Sequence, residues 1–240
     1  MRILQLNIWS GRVIGRLERF FSKNRFDLIC LQEAAWSDED EFLRKFCVTV
    51  EQIKSLTGLK HDFRSSNWGI KILSGGQIEQ GNVILSREEI VHRQTETIYG
   101  EYRVVKSLED LKNHAGTVQI AKLMSGLNIV NYHGIWAPDS MGDKRSVETM
   151  KTMGALIEKI DGPVVMCGDL NLVHDSLAMR ELGFLRDLTA EYGVKSTLSG
   201  LKLDKKIACD HILVNDSMVV RDFQVINDVV SDHLGLVIEI

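Results

Sequence analysis

Short polar clusters stand at the ends of apolar runs along the sequence. Asn7 closes the first run, Gln32-Glu33 close the second, and His133 follows Asn128-Ile129-Val130-Asn131-Tyr132. Gly168-Asp169-Leu170-Asn171 end the run that starts at Val164, Asp210-His211 open a later one, and Ser231-Asp232-His233 precede the last. Carboxylates can hold a hard cation, and imidazoles can move protons or donate hydrogen bonds to an anion. Each cluster alone has a plain structural reading. Asn7 suits a turn or strand cap, Glu33 suits the acidic start of a helix, and Gly-Asp-x-Asn suits a tight turn. Their ordered set at strand ends, where α/β sheets gather ligands, points instead to a shared site.

The elements that must position these groups show in the apolar patterning. Runs at Ile3 to Ile8, Phe26 to Leu31, Asn82 to Leu85, Val118 to Leu123, Leu127 to Tyr132, Val164 to Cys167, Ile207 to Val214 and Leu234 to Ile240 have the length and β-branched content of strands. Helical spacing covers Gly15 to Lys23, Asp38 to Thr57 and Lys144 to Ile160, the last with Val147, Met150, Met153 or Gly154, and Ile157 on one face. Several strands follow one another without an intervening helix, so strict βαβ alternation fails and a mixed-sheet α/β sandwich is expected. No Gly/Ser/Pro-rich linker divides residues 1–240, which read as a single domain.

The chain has 240 residues, 44% hydrophobic and 26% charged, the composition of an ordinary folded protein. No apolar stretch approaches the roughly 20 residues of a membrane span, and the N-terminus reads as a strand rather than a signal peptide. The four cysteines form no Cys-x-x-Cys pair, which argues against a zinc site or disulfide framework and for a reducing, cytoplasmic setting. A net charge of -4 gives no large basic field for a long polyanion, so an activity on phosphate esters would need a divalent cation to mask repulsion.

The order Leu6-Asn7, Leu31-Gln32-Glu33, Gly81-Asn82-Val83-Ile84-Leu85-Ser86-Arg87, Asn131-Tyr132-His133, Gly168-Asp169-Leu170-Asn171, Asp210-His211-Ile212 and Ser231-Asp232-His233 resembles the endonuclease/exonuclease/phosphatase, or DNase I-like, superfamily from residue 3 to the C-terminus. The resemblance implies a four-layered sandwich, two mixed β-sheets face to face with helices outside. It also implies Mg²⁺- or Mn²⁺-dependent hydrolysis of a phosphate ester, with nucleic acid among the substrates. Under it Glu33 matches the metal-binding glutamate, Asn7 the asparagine supporting that centre, and Asp232 an aspartate close to the metal. Asp169 matches the aspartate that orients or deprotonates the attacking water, and Asn171 its phosphate-contacting partner. Asp210 and His233 match the Asp-His pair beside the scissile phosphate. His133 falls where the DNase I-like and sphingomyelinase-like branches carry histidine and the abasic-site endonucleases carry tyrosine.

A phosphodiester resists nucleophiles because its oxygens are anionic, so catalysis needs positive charge where negative charge grows. Mg²⁺ held by one or two carboxylates suits Glu33 with Asp232. Two departures from the family pattern stand out. Trp9 occupies a position where some members carry a second carboxylate, and the glutamate that partners the first histidine has no clear counterpart, with Glu79 or Gln80 nearest its place. Arg12, Arg16 and Arg19 suggest either a phosphate-facing stripe or a solvated helix face. Trp9, Trp68 and Trp136 suggest either a stacking surface or core, with core the default. The expected activity is a metal-dependent phosphodiesterase, an endo- or exonuclease on DNA or RNA. A phospholipid or small-molecule phosphoesterase and a catalytically silent binding protein of the same fold are the alternatives, and no stable membrane association is expected.

Overall fold

A computed structural model describes residues 1–73, 75–136, 140–201 and 206–240. From the N-terminus run β1 (Arg2–Asn7), α1 (Ile14–Lys23), β2 (Leu28–Ser37), α2 (Asp40–Leu43), α3 (Val50–Thr57), β3 (His61–Lys71) and β4 (Gln77–Ser86). They are followed by β5 (Ile90–Tyr99), β6 (Arg103–Val104), β7 (Gly116–Leu123), β8 (Asn128–His133), α4 (Lys144–Ile157) and β9 (Val164–Asp169). The C-terminal part holds β10 (Arg186–Asp187), α5 (Leu188–Glu191), β11 (Asp210–Val214), β12 (Asp222–Ile226) and β13 (Gly235–Glu239).

One sheet has seven strands in the order β12-β13-β1-β2-β4-β3-β6, the other six in the order β10-β11-β9-β8-β7-β5. Both are mixed, since β1 pairs β2 and β8 pairs β9 in parallel while most neighbours are antiparallel. Ile3, Leu28, Cys30, Ile84, Ile129, Val165, Cys167 and Ile212 fill the space between the sheets. Leu17, Phe20 and Phe21 of α1, with Val50 and Ile53 of α3, cover the outer face of the first sheet. Met150, Met153 and Ile157 of α4 cover the outer face of the second. The expected sandwich with helices outside is therefore the fold. Among the described residues no helix is long and apolar enough to cross a membrane.

Alternation along the strands carries the inner face from apolar to polar. Ile3, Gln5 and Asn7 share one face of β1, and Ile129, Asn131 and His133 share one face of β8. Val165, Cys167 and Asp169 on β9, and Val214, Ile212 and Asp210 on antiparallel β11, reach the same edge. Behind that edge runs a buried row of amides. Gln5 Nε2 donates to Asp210 Oδ1 (3.0 Å) and Gln32 Oε1 (2.9 Å), and Gln32 Nε2 to Asn131 Oδ1 (2.7 Å). Asn131 Nδ2 donates to Gln119 Oε1 (2.9 Å), and Gln119 Nε2 to the Phe63 carbonyl (2.8 Å). The row crosses the interface several times, so it ties the two sheets in one register. Gln5→Leu is expected to strand two buried acceptors, lowering stability by about 1–3 kcal/mol for each; the urea midpoint measures it, and an unchanged midpoint would contradict the row's structural role.

Three expectations are corrected here. The helix expected over Asp38 to Thr57 is broken into α2 and α3, because Val48 donates to the Gly11 carbonyl (2.9 Å) and Thr49 caps α3 in a capping box with Gln52. The helix expected to Ile160 ends at Ile157. Asn82 does not begin a strand but lies inside β4, buried, with Nδ2 on the Thr117 carbonyl of the facing sheet (2.8 Å).

Candidate active site

Asp169 is the group on which the polar edge converges. It ends β9, is buried, and stands beside the paired start of β11, where Asp210 faces it across the ladder. Its Oδ1 accepts from the Asn171 backbone N–H (3.1 Å) and its Oδ2 from Asn7 Nδ2 (2.9 Å). The same Oδ2 lies 3.5 Å from His133 Nε2 and 3.6 Å from His233 Nε2. These last separations exceed an ordinary N–H···O bond, so the two imidazole nitrogens and the carboxylate surround one position without closing it.

Glu33 reaches this position by a break in the strand. Gln32 faces the inter-sheet row, so a regular pleat would turn Glu33 the other way. The register of β2 against β4 shifts between Leu31 and Ala34, and Glu33 adopts a left-handed φ of 53°. Such a bulge re-aims a side chain, and the left-handed backbone of a residue other than glycine is strain characteristic of functional sites. Glu33 Oε1 then accepts from Asn7 Nδ2 at 3.1 Å. One amide thus holds two carboxylates together, while Asn7 Oδ1 accepts from the Trp9 backbone (3.0 Å). Trp9 supplies no acid, and Arg12 sits over its ring at 5.4 Å.

His233 Nδ1 is bonded to Asp210 Oδ2 at 2.8 Å. Burial disfavours the imidazolium, yet the charges of Asp210 and Asp169 overcome it and hold the His233 pKa well above the usual histidine value. Asp210 is held in turn by Gln5 and by Thr197, whose hydroxyl donates to Oδ2 at 2.5 Å. Gly168 and Gly134 permit the close packing of the two loops: a Cβ on Gly168 would stand 2.2 Å from the Tyr132 carbonyl oxygen, and one on Gly134 2.0 Å from that of Leu170.

The structure brings Asn7, Glu33, His133, Asp169, Asp210 and His233 to one edge. Asn171, expected to contact phosphate, spends one N–H on the Gly134 carbonyl (3.1 Å) and pins the loop after His133. Asp232 is buried, and its carboxylate accepts from the Ser231 hydroxyl (3.2 Å). Glu79 is engaged by Tyr102 and Gln77, and Gln80 by Ser10, so neither partners His133. Of the arginine stripe, Arg12 lies outside α1 and Arg16 bonds the Val229 carbonyl (3.1 Å).

Sequence reasoning missed Gln5, Thr197 and Cys209. Gln5 carries a signal, a polar residue in phase with Ile3 and Asn7. Thr197 and Cys209 belong to no motif. Ligand atoms of Asp169, Cys209, Asp210 and His233 lie within 4.8 Å of one another. Burial pushes the Cys209 thiol up to about 12, and His233 is engaged with Asp210, so within this set a hard cation would rely on the carboxylate oxygens rather than the thiol. The oxygens of Glu33 and Asp169 fit Mg²⁺ or Mn²⁺: both flank the Asn7 amide, and among the described residues Glu33 Oε2 has no hydrogen-bond partner.

Behind the Gly-Asp-x-Asn turn, His211 is fully buried between two acceptors, Asp187 Oδ2 (2.9 Å, from Nδ1) and the Leu172 carbonyl (2.8 Å, from Nε2). Both nitrogens must carry protons to satisfy them. Desolvation opposes that charge, but the Asp187 carboxylate prevails and raises the pKa. A raised folded-state pKa gives stability fully present below the unfolded value of about 6.5 and lost as pH rises through the folded value. The urea midpoint is expected to decline on the alkaline side of neutrality, and His211→Gln to remove that part of the decline. Equal slopes in both proteins would exclude the buried cation.

The whole chain has known structural counterparts. A family protein from Leptotrichia buccalis C-1013-b matches 100% of this chain and 99% of its own with a TM-score of 0.70 at 17% identity. A mannosyl-6-phosphatase from Bacteroides thetaiotaomicron VPI-5482 matches 100% and 98%, TM-score 0.65, at 17% identity. The catalytic domain of human Nocturnin, with a bound sulfate anion, matches 99% and 93%, TM-score 0.65, at 15% identity. At these identities the likeness shows the fold. A comparison with curated proteins gives no significant match. The model of the endonuclease/exonuclease/phosphatase family matches residues 4–233, and the chain belongs to that family.

Proposed function

We propose that this protein hydrolyses phosphodiester bonds with a divalent cation, Mg²⁺ or Mn²⁺, as a nuclease acting on DNA or RNA. The observation that carries the reading is the convergence of Asn7, His133 and His233 on Asp169 Oδ2. Glu33, with Asn7 and Asp169 beside it, would hold the cation, which when bound supplies positive charge to the phosphate oxygens. Asp169, fixed at both oxygens by Asn7 and the Asn171 amide, aligns the attacking water and takes its proton. His233, cationic against Asp210, donates from Nε2 to a non-bridging oxygen as charge grows there. The bond from phosphorus to the leaving oxygen breaks, and His133 gives that oxygen a proton. The fold relatives carry both phosphatase and other names, so they do not select the ester.

The test is hydrolysis of methyl p-nitrophenyl phosphate with Mg²⁺ and with EDTA, beside a phosphomonoester. Turnover that requires the cation and prefers the diester is expected. Activity indifferent to EDTA would overturn the metal requirement, and preference for the monoester would replace the reading with a phosphatase. His233→Ala is expected to slow turnover at least about a hundredfold while circular dichroism stays unchanged.

A further inference from the structure

A second cleft opens beside the catalytic edge, about 650 Å³ in volume and lined by Tyr99, Asn113, His114, Ile135, Trp136 and Arg145. That volume lies in the range of small-molecule sites. It is continuous in chain with the site: Ile135 and Trp136 follow His133 and Gly134. Gly134 is tied to the Asp169 loop twice, donating to the Asp169 carbonyl (2.7 Å) and accepting from Asn171 Nδ2 (3.1 Å). Trp136 is 71% exposed, contrary to the core default for an indole.

The other walls mix apolar surface from Tyr99, Leu111 and Ile135 with the polar groups of Asn113, His114 and Arg145. His114 Nδ1 faces the Leu111 carbonyl at 2.5 Å and so donates there, and its ring meets Tyr99 edge-on with centroids 6.1 Å apart. Burial lowers the His114 pKa, the Leu111 hydrogen bond opposing it. Arg145 bonds Asp143 through Nε (3.1 Å) and its side chain remains 65% exposed, so the terminal nitrogens of the guanidinium face solvent. An exposed indole face and a guanidinium in one cleft match a planar heterocycle carrying a phosphate.

We propose that this cleft receives the nucleotide flanking the scissile phosphate, its base stacked on Trp136 and its further phosphate met by Arg145. The proposal rests on the phosphodiesterase reading above and deepens it. Its test compares kcat/KM for thymidine 5′-(p-nitrophenyl phosphate) and methyl p-nitrophenyl phosphate, which share a leaving group and differ in the nucleoside. The wild-type protein is expected to prefer the nucleoside ester, Trp136→Ala to reduce that preference about tenfold to a hundredfold, and Trp136→Phe to keep most of it. Arg145→Ala is expected to weaken a trinucleotide more than the mononucleotide ester, and DNA and RNA trinucleotides tell the two sources of the base apart.

A preference that survives both Trp136→Ala and Arg145→Ala would overturn the assignment. If the wild-type protein cleaves neither ester, the phosphodiesterase reading fails by itself, and binding decides the cleft. Cation-free equilibrium dialysis with thymidine 5′-phosphate should show binding that Trp136→Ala loses; equal binding by both proteins, or none by the wild type, would overturn it.

Discussion

Asp169→Asn is expected to lower kcat/KM by about 10³ to 10⁴, near the upper range of what a positioned base contributes. The change is nearly isosteric but reverses the local hydrogen-bond sense. Asp169 accepts at both oxygens, from the Asn171 N–H and from Asn7 Nδ2. An asparagine must point its own NH₂ at one of these donors, so one loop or one amide has to move. The Asp169 charge also helps hold His233 as a cation, and its loss weakens that donor at the same time. Single-turnover kinetics on a chromogenic diester measure the effect. A loss below about tenfold in a folded variant would show that the convergence on Asp169 is structural.

Glu33→Gln is the second large effect, about 10³ in rate at a fixed, modest Mg²⁺ concentration, with the cation dependence moved to higher concentration. Here the hydrogen bond survives, since a glutamine carbonyl oxygen can still accept from Asn7 Nδ2 as Glu33 Oε1 does. Only the charge is removed. The left-handed backbone at residue 33 is the same in both proteins, so stability is expected to change little. Isothermal titration with Mn²⁺ reads cation affinity without turnover. Equal affinities in the two proteins would remove Glu33 from the cation site.

The inner strands were legible because their β-branched runs are buried on both faces. Ile129 and Val130 lie between the facing sheet on one side and the α4 layer on the other, as do Val165 and Met166. The strands β3 and β5 were not. On β5 most residues are exposed or half-buried, so Val-His-Arg-Gln-Thr-Glu-Thr reads as loop. On β3 the alternation exists, but Ser65 and Asn67 occupy buried positions, and a hydropathy pattern takes them for solvent. The site was legible for a related reason: its carboxylates and histidines sit where apolar runs stop. What supports it was hidden. Thr197 lies far from Asp210 in sequence and becomes its neighbour only through tertiary structure, and the bulge that turns Glu33 inward leaves no trace in residue type.

The amide row has a fixed polarity. It ends on acceptors at both sides, the Asp210 carboxylate and the Phe63 carbonyl, so one amide must donate both ways; Gln5 does so, and from Gln32 through Asn131 to Gln119 each N–H points on toward Phe63. Related sequences should then show positions 5, 32, 119 and 131 drifting in concert: an exchange to Glu or Leu at any of them calls for a matching exchange next door, and a chain that altered one alone would inherit a misdirected dipole at the heart of the sandwich.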